Sequence, residues 1–174
     1  MSDPSELYRG RRFRVVRVEQ DLPDGQRHAR DIVRHPGAVA ILPLLDDGRI
    51  CLIRNRRVSI DRTLVELPAG TLEPKEDPAE TARRELTEET GYRADHFELL
   101  TTFYTSPGVL DELMWVYVAT GLTAGRQALD AGEQIENLLV TWEEALRMAA
   151  DGRITDGKTL ASLLYFDRFR RTRA

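Results

Sequence analysis

Between Asp77 and Gly91 the chain carries the signals that start, continue and stop a helix, and it gathers three glutamates on one side of that helix. Asp77 is a residue of N-cap type, Pro78 suits the first helical position, and Glu80 follows three after the cap, as in a capping box. Gly91 supplies the stop. A helix is therefore predicted from about Pro78 to Thr90. At about 100° per residue, Glu85 and Glu89 share a face and Glu88 lies beside them. Ala79, Ala82 and Leu86 form an adjacent apolar stripe, and Arg83 and Thr87 point away from it. Like charges three or four apart repel by about 0.2–0.5 kcal/mol when exposed, and by more when buried. A countercharge is needed. Arg84 is one; a divalent cation is the other, and an all-oxygen donor set suits Mg²⁺ or Mn²⁺ rather than zinc. A bare glutamate pair would ordinarily be a solvated surface, so the rest of the stretch has to carry the argument.

Around this helix the chain reads as strands and short helices. Ala38 to Leu45 is a continuous apolar run, the mark of a strand buried on both faces. Asp46-Asp47-Gly48 is a hairpin turn leading to Ile50–Arg54. Further strands are predicted at Phe13–Val18, Gln26–Val33, Leu64–Leu67, Phe97–Tyr104, Leu113–Ala119 and Ile135–Thr141. Thr141 and Glu144 form a second capping box, for a helix through Ala150 that Gly152 ends. A last helix runs from about Lys158 to Arg170, with Leu160, Leu163, Leu164 and Phe169 toward the core. Strands joined by hairpins and interspersed with helices make an α+β, mixed-sheet domain.

Composition excludes several classes. The net charge is −4 with the two signs mixed, so no basic stripe for nucleic acid is present. The terminal Arg168, Arg170, Arg171 and Arg173 read as a charged last helical turn. No apolar run approaches the ~20 residues that span a membrane, and Met1 to Arg12 lacks the apolar core of a secretory signal. Cys51, the only cysteine, reads as a small buried hydrophobe. A cytoplasmic location is expected.

The stretch from Gly70 to Tyr92 fits the box G-x5-E-x7-R-E-U-x-E-E-x-G-U of the Nudix hydrolases, where U is a bulky apolar residue. Gly70, Glu76, Arg84, Glu85, Leu86, Glu88, Glu89 and Gly91 are in register. Seven fixed positions match by chance on the order of once in 10⁸ starts. Tyr92 stands where the family usually has an aliphatic residue. The resemblance implies a mixed central sheet sandwiched between helices. It also implies that Glu85, Glu88, Glu89 and the carbonyl of Ala69 hold Mg²⁺ (or Mn²⁺), that Arg84 orients the glutamates, and that Glu76 braces the loop. The reaction implied is hydrolysis of a pyrophosphate, whose charge divalent ions neutralise while they acidify a water.

The flanks are similar to the ADP-ribose pyrophosphatase group, from about Leu7 to Phe169. Ser106-Pro107-Gly108 with Glu112 resembles that group's substrate segment, and Val65 to Gly70 its approach to the box. His35 to Ala40 resembles its lead into the central strand. Arg54-Asn55-Arg56-Arg57 resembles its Arg-Gln-x-Arg run, which makes Arg57 a candidate for a substrate phosphate through paired donors. Pro107, Gly108 and Glu112 are the other candidate substrate residues. The general base is Glu133 or Glu88; some relatives carry a second glutamate where this chain has Ala131. Tyr8, Phe13, Tyr104 and Trp115 are candidates to stack on a base. The resemblance implies hydrolysis of ADP-ribose to AMP and ribose 5-phosphate. The alternatives are another nucleoside diphosphate sugar such as GDP-mannose, or a non-catalytic ligand-sensing module, which the intact set of carboxylates disfavours. It also implies a homodimer that exchanges strands through a β-rich segment, 1–37, ahead of the catalytic domain, 38–174.

Overall fold

The structure is a computed structural model and describes residues 5–171. In chain order its strands are β1 (Ser5–Arg9), β2 (Arg14–Asp21), β3 (Arg27–Arg34), β4 (Ala38–Pro43), β5 (Arg49–Arg57), β6 (Arg62–Glu66), β7 (Ala69–Thr71), β8 (Arg93–Tyr104), β9 (Leu113–Thr123) and β10 (Ile135–Thr141). The helices are α1 (Pro78–Thr90), between β7 and β8, then α2 (Trp142–Ala150) and α3 (Gly157–Phe169) after β10.

Every residue of β4 is buried, as a run without polar alternation requires. It lies inside a four-stranded sheet of order β7-β4-β9-β8, parallel to β9 and antiparallel to β7. Successive residues of a strand face opposite sides, and this splits the interior in two. Val39 and Ile41 meet Ala82 and Leu86 of α1. Ala38, Ala40 and Leu42 meet Leu52 of β5, Met148 of α2 and Leu163 of α3. The sheet is thus sandwiched between helices, and its β4–β9 pair makes it mixed, as expected. Cys51 is fully buried, and burial pushes its thiol up to about 12, so it stays protonated.

Local capping set the helix ends. The Asp77 carboxylate accepts from Ala79 N at 2.8 Å, and Gly91 closes α1 at φ 77°. Gly91 has a second constraint: a Cβ there would meet the backbone of Arg126 and Gln127 at 2.9 Å. Glu80 does not complete the predicted box; it pairs with Arg83. Thr141 caps α2 by accepting from Glu144 N, while the Glu144 side chain pairs with Arg147 and Arg153.

Three expectations need correction, and one strand was not anticipated. The Asp46-Asp47-Gly48 turn forms, but β4 and β5 diverge into different sheets after the single Leu44–Ile50 bridge; β5 instead centres a second sheet of order β10-β5-β6. On α3, Leu164 and Phe169 face outward, because Thr159, Ser162 and Leu163 form the inward stripe. Strands β8 and β9 extend beyond their apolar cores to Arg93 and Thr123, since mutual pairing carries the polar ends. The strand β1, exposed at every residue, has no periodic signal; its pairing with β2 creates it. The sheet β1-β2-β3 stands apart, with Val16 its one buried residue and cross-strand pairs such as Arg17–Asp31 on its faces.

Of the basic tail, Arg171 pairs with Glu143 and Arg170 with Glu98. Arg173, like Met1–Pro4 of the N-terminal reading, lies outside the described residues. No described helix is long and apolar enough to cross a membrane.

Candidate active site

The chain passes from β6 through Leu67 and Pro68 to β7, and this short strand lies against α1. A Cβ at position 70 would stand 1.9 Å from Glu85 Cδ, so any residue but glycine would displace that carboxylate. Beside it, Ala69 N donates to Glu89 Oε2 at 2.8 Å. The box loop and the acidic face of α1 are thereby locked together.

Arg84 is the hub of the acidic patch. Its Nε and Nη2 donate to Glu76 at 3.1 and 3.2 Å, and its Nη1 donates to Glu85 at 2.8 Å and to Glu88 at 2.9 Å. Glu76 also accepts from Glu73 N at 3.1 Å, so one carboxylate ties the loop to the helix. The Arg84 guanidinium holds the Glu76 carboxyl down at about 2.

Glu89 lies deepest, 3% exposed. Burial pushes its carboxyl up to about 8; the Ala69 N–H opposes this, while the charges of Glu85 and Glu133 add to it. Burial also raises Glu85, against the pull of Arg84. Glu133 thus acts electrostatically on both box carboxylates from a loop 48 or 44 positions further on. Its Oε2 accepts from Asp130 N at 3.0 Å.

These groups line one cavity of about 1670 Å³, larger than the ~300–1,000 Å³ of typical small-ligand pockets. Ala69, Glu85, Glu88, Glu89, Arg84 and Glu133 are on its wall. Arg57 lines it too, at the end of β5, and its fork grips Glu66: Nε to Oε1 at 2.8 Å and Nη2 to Oε2 at 2.5 Å. Glu112 reaches the wall with Thr105, whose hydroxyl donates to it at 2.7 Å. Pro107 and Gly108 do not. They are exposed on a turn closed by Val109 N and Leu110 N on Ser106 O, and the segment is anchored instead to β3, through Val33 N to Val109 O. Phe13 and Tyr104 line the cavity. Trp115 does not serve there: it packs in the core on the α1 side, against Gly37.

One cluster behind the wall escaped sequence reasoning. Glu66 is fully buried, and beside Arg57 it accepts from Lys158 Nζ at 2.5 Å. Lys158 stands 3.0 Å from Asp156, the N-cap of α3. Burial would raise the Glu66 carboxyl, but Arg57 and Lys158 outweigh it and hold it below its ordinary value. The signal available was an acidic residue inside the apolar run Val65–Leu67, which demands a cation; its partner, 92 positions away, was not readable.

The donor set fits a divalent cation. Glu89 is a buried carboxylate whose only hydrogen bond among the described residues is the one from Ala69 N, and it shares the cavity with Glu85 and Glu88. Arg84 bridges the latter two, and no three described carboxylates are gathered around a common point.

A family model, the NUDIX domain, matches residues 34–163. The chain is 41% identical to a methanol dehydrogenase activator of Bacillus methanolicus and 40% identical to an ADP-ribose pyrophosphatase of Bacillus subtilis, in both cases over 92% of this chain and 88% of the relative. It is 34% identical to a GDP-mannose pyrophosphatase of Yersinia enterocolitica, over 92% and 91%. Among solved structures, one described as an ADP compounds hydrolase superposes with a TM-score of 0.81 at 22% identity, covering 97% of this chain and 95% of that one; this likeness speaks to the fold. With the box residues in register on α1 and the family match spanning both interior cores, the chain belongs to the Nudix domain family.

Proposed function

We propose that this protein is a divalent-metal-dependent hydrolase that cleaves the pyrophosphate of ADP-ribose to AMP and ribose 5-phosphate. The observation that carries the reading is that Glu85, Glu88, Glu89 and Glu133 line one cavity together with Arg57. The relative of Bacillus subtilis supports the substrate. A second reading, a GDP-mannose substrate, is favoured by the Yersinia relative, and the two differ only in nucleobase and sugar.

Ala69, by its carbonyl, and Glu85, Glu88 and Glu89 would hold Mg²⁺ or Mn²⁺. Such an ion supplies charge neutralisation at the pyrophosphate and a more acidic water. Arg57 offers donors to a phosphate oxygen, and Glu112 contacts the substrate across the cavity. Glu133 accepts the proton of the attacking water. The water oxygen bonds to one phosphorus, the bridging P–O bond breaks, and both products leave as phosphomonoesters. Arg84 keeps Glu85 and Glu88 in place.

Chelator-treated protein is expected to be inactive and to recover with Mg²⁺ or Mn²⁺. Assayed on a panel of nucleoside diphosphate sugars, the restored enzyme should release monophosphate fastest from ADP-ribose. Full turnover without metal would end the mechanism, and faster turnover of GDP-mannose would select the second reading.

We further propose a homodimer joined through segment 1–37, with 38–174 as the catalytic domain. Exposed Leu7 and Tyr8 on β1, with Phe13 in the connection that follows, support it. Light scattering should give twice the chain mass of 19.8 kDa, and removal of the segment should give monomer; an intact monomer at micromolar concentration would contradict it. We propose a cytoplasmic location for the activity.

A further inference from the structure

The mechanism leaves one buried charged group without a task. Glu66 ends β6 with no exposed surface, and two cations meet its carboxylate. Arg57 occupies both oxygens with its fork, and Lys158, itself 10% exposed, shares Oε2. Both cations line the cavity, and Arg57 keeps 40% of its side chain exposed there.

A clamp joining α3 to β6 does not require this lysine. Thr159, fully buried, already makes that junction: its hydroxyl accepts from Leu67 N at 2.8 Å and donates to Asp156 at 2.6 Å. Nor is a buried ion pair usually worth more to stability than apolar packing of the same volume. The charge has a different consequence. An arginine paired one-to-one with a carboxylate forms a neutral unit with little attraction left for a phosphate. A second cation on the same carboxylate leaves the unit positive. Asp156, 3.0 Å from Lys158, brings the four groups to formal neutrality, but it caps α3, whose N-terminal dipole offsets part of its charge.

We propose that Lys158, acting through the buried carboxylate of Glu66, is a positioning residue for Arg57: it holds the guanidinium at the cavity wall and leaves its charge to the pyrophosphate of the substrate. The inference rests on the reading of Arg57 as a phosphate-binding residue. It extends the site to the first turn of α3.

The test is a double-mutant cycle on the full-length protein with Mg²⁺ and ADP-ribose, read as KM against kcat. Lys158→Met keeps the apolar stem and removes the charge. It is expected to raise KM about tenfold with kcat within about threefold, as loss of uniform substrate binding does. Arg57→Gln should raise KM at least as far. In the Arg57→Gln background, Lys158→Met should then change KM by less than about twofold, since the two act as one unit. Equal KM increases in both backgrounds, or an unchanged KM in folded Lys158→Met, would overturn the proposal while leaving Arg57 at the phosphate. An unchanged KM in Arg57→Gln would instead remove the reading beneath it. If Lys158→Met fails to fold, Lys158→Gln, which retains a donor to Glu66, carries the same expectation.

Discussion

Glu89→Gln is expected to lower kcat at least ~100-fold and, in the absence of metal, to stabilise the protein. Both effects follow from one fact: Glu89 is a carboxylate with 3% exposure and no cationic side chain hydrogen-bonded to it. Glutamine keeps the size and an oxygen to accept from Ala69 N. It removes the charge that a divalent ion requires and that the empty fold tolerates poorly. The pH dependence has a definite sign. With the folded carboxyl raised to about 8 from its ordinary 4.5, the folded state holds a proton that the unfolded chain has released. Metal-free wild type therefore loses stability as pH rises from about 4.5 through about 8, by an amount on the order of a few kcal/mol. The advantage of Glu89→Gln should grow across that window and level off above it. Saturating Mg²⁺ should reverse the order, because binding to the folded state stabilises wild type alone. The checks are initial rates and denaturant melts at pH 5 and pH 8, with and without Mg²⁺. A near-normal rate would make the box structural here. Metal-free Glu89→Gln less stable than wild type at pH 8 would mean that the fold already compensates the charge.

Glu133→Gln is expected to lower kcat by about 10²–10⁴ and to leave KM within a few-fold, the pattern of a group that moves a proton rather than one that binds the ground state. The competing base is Glu88, and the structure separates their circumstances. Glu88 gives one oxygen, Oε2, to the Arg84 guanidinium at 2.9 Å, a charged donor. Glu133 spends one oxygen on the Asp130 N–H, a neutral donor, and faces Glu85 and Glu89 closely enough for its charge to raise both. The acidic limb of the pH–rate profile should change shape in Glu133→Gln. Should Glu88→Gln give the larger loss and Glu133→Gln cost less than ~5-fold, the base lies within the box and the loop at Glu133 serves as a lid.

How much of this was legible in the chain depends on the range of the interaction. Helix α1 was readable to its end residues because each signal acts within four positions: the Asp77 cap, the proline at its first turn, the glycine in left-handed backbone. The wheel that set Glu85, Glu88 and Glu89 on one patch needs only helical geometry, and β4 declared its double burial by lacking polar alternation. The reaction class was legible through the box, whose residues are also local; the substrate was read only from a resemblance of the flanking segments. Where two stripes competed, the reading failed. Leu164 and Phe169 are as apolar as Leu163, and only the packing of α3 on β4 and α2 chose between them. The Asp46-Asp47-Gly48 turn announced a hairpin, yet a turn says nothing of which sheet each arm joins.

The sequence by itself thus determined the helix that bears the carboxylates, the strand against which it packs, and the class of chemistry. The tertiary structure alone decided which charges meet. It left Pro107 and Gly108 off the cavity wall, put Glu133 on that wall with Glu85 and Glu89, and set Lys158 on Glu66 across 92 positions. A contact between residues that far apart depends on how sheets and helices stack, and it leaves no period in the chain from which it could be read.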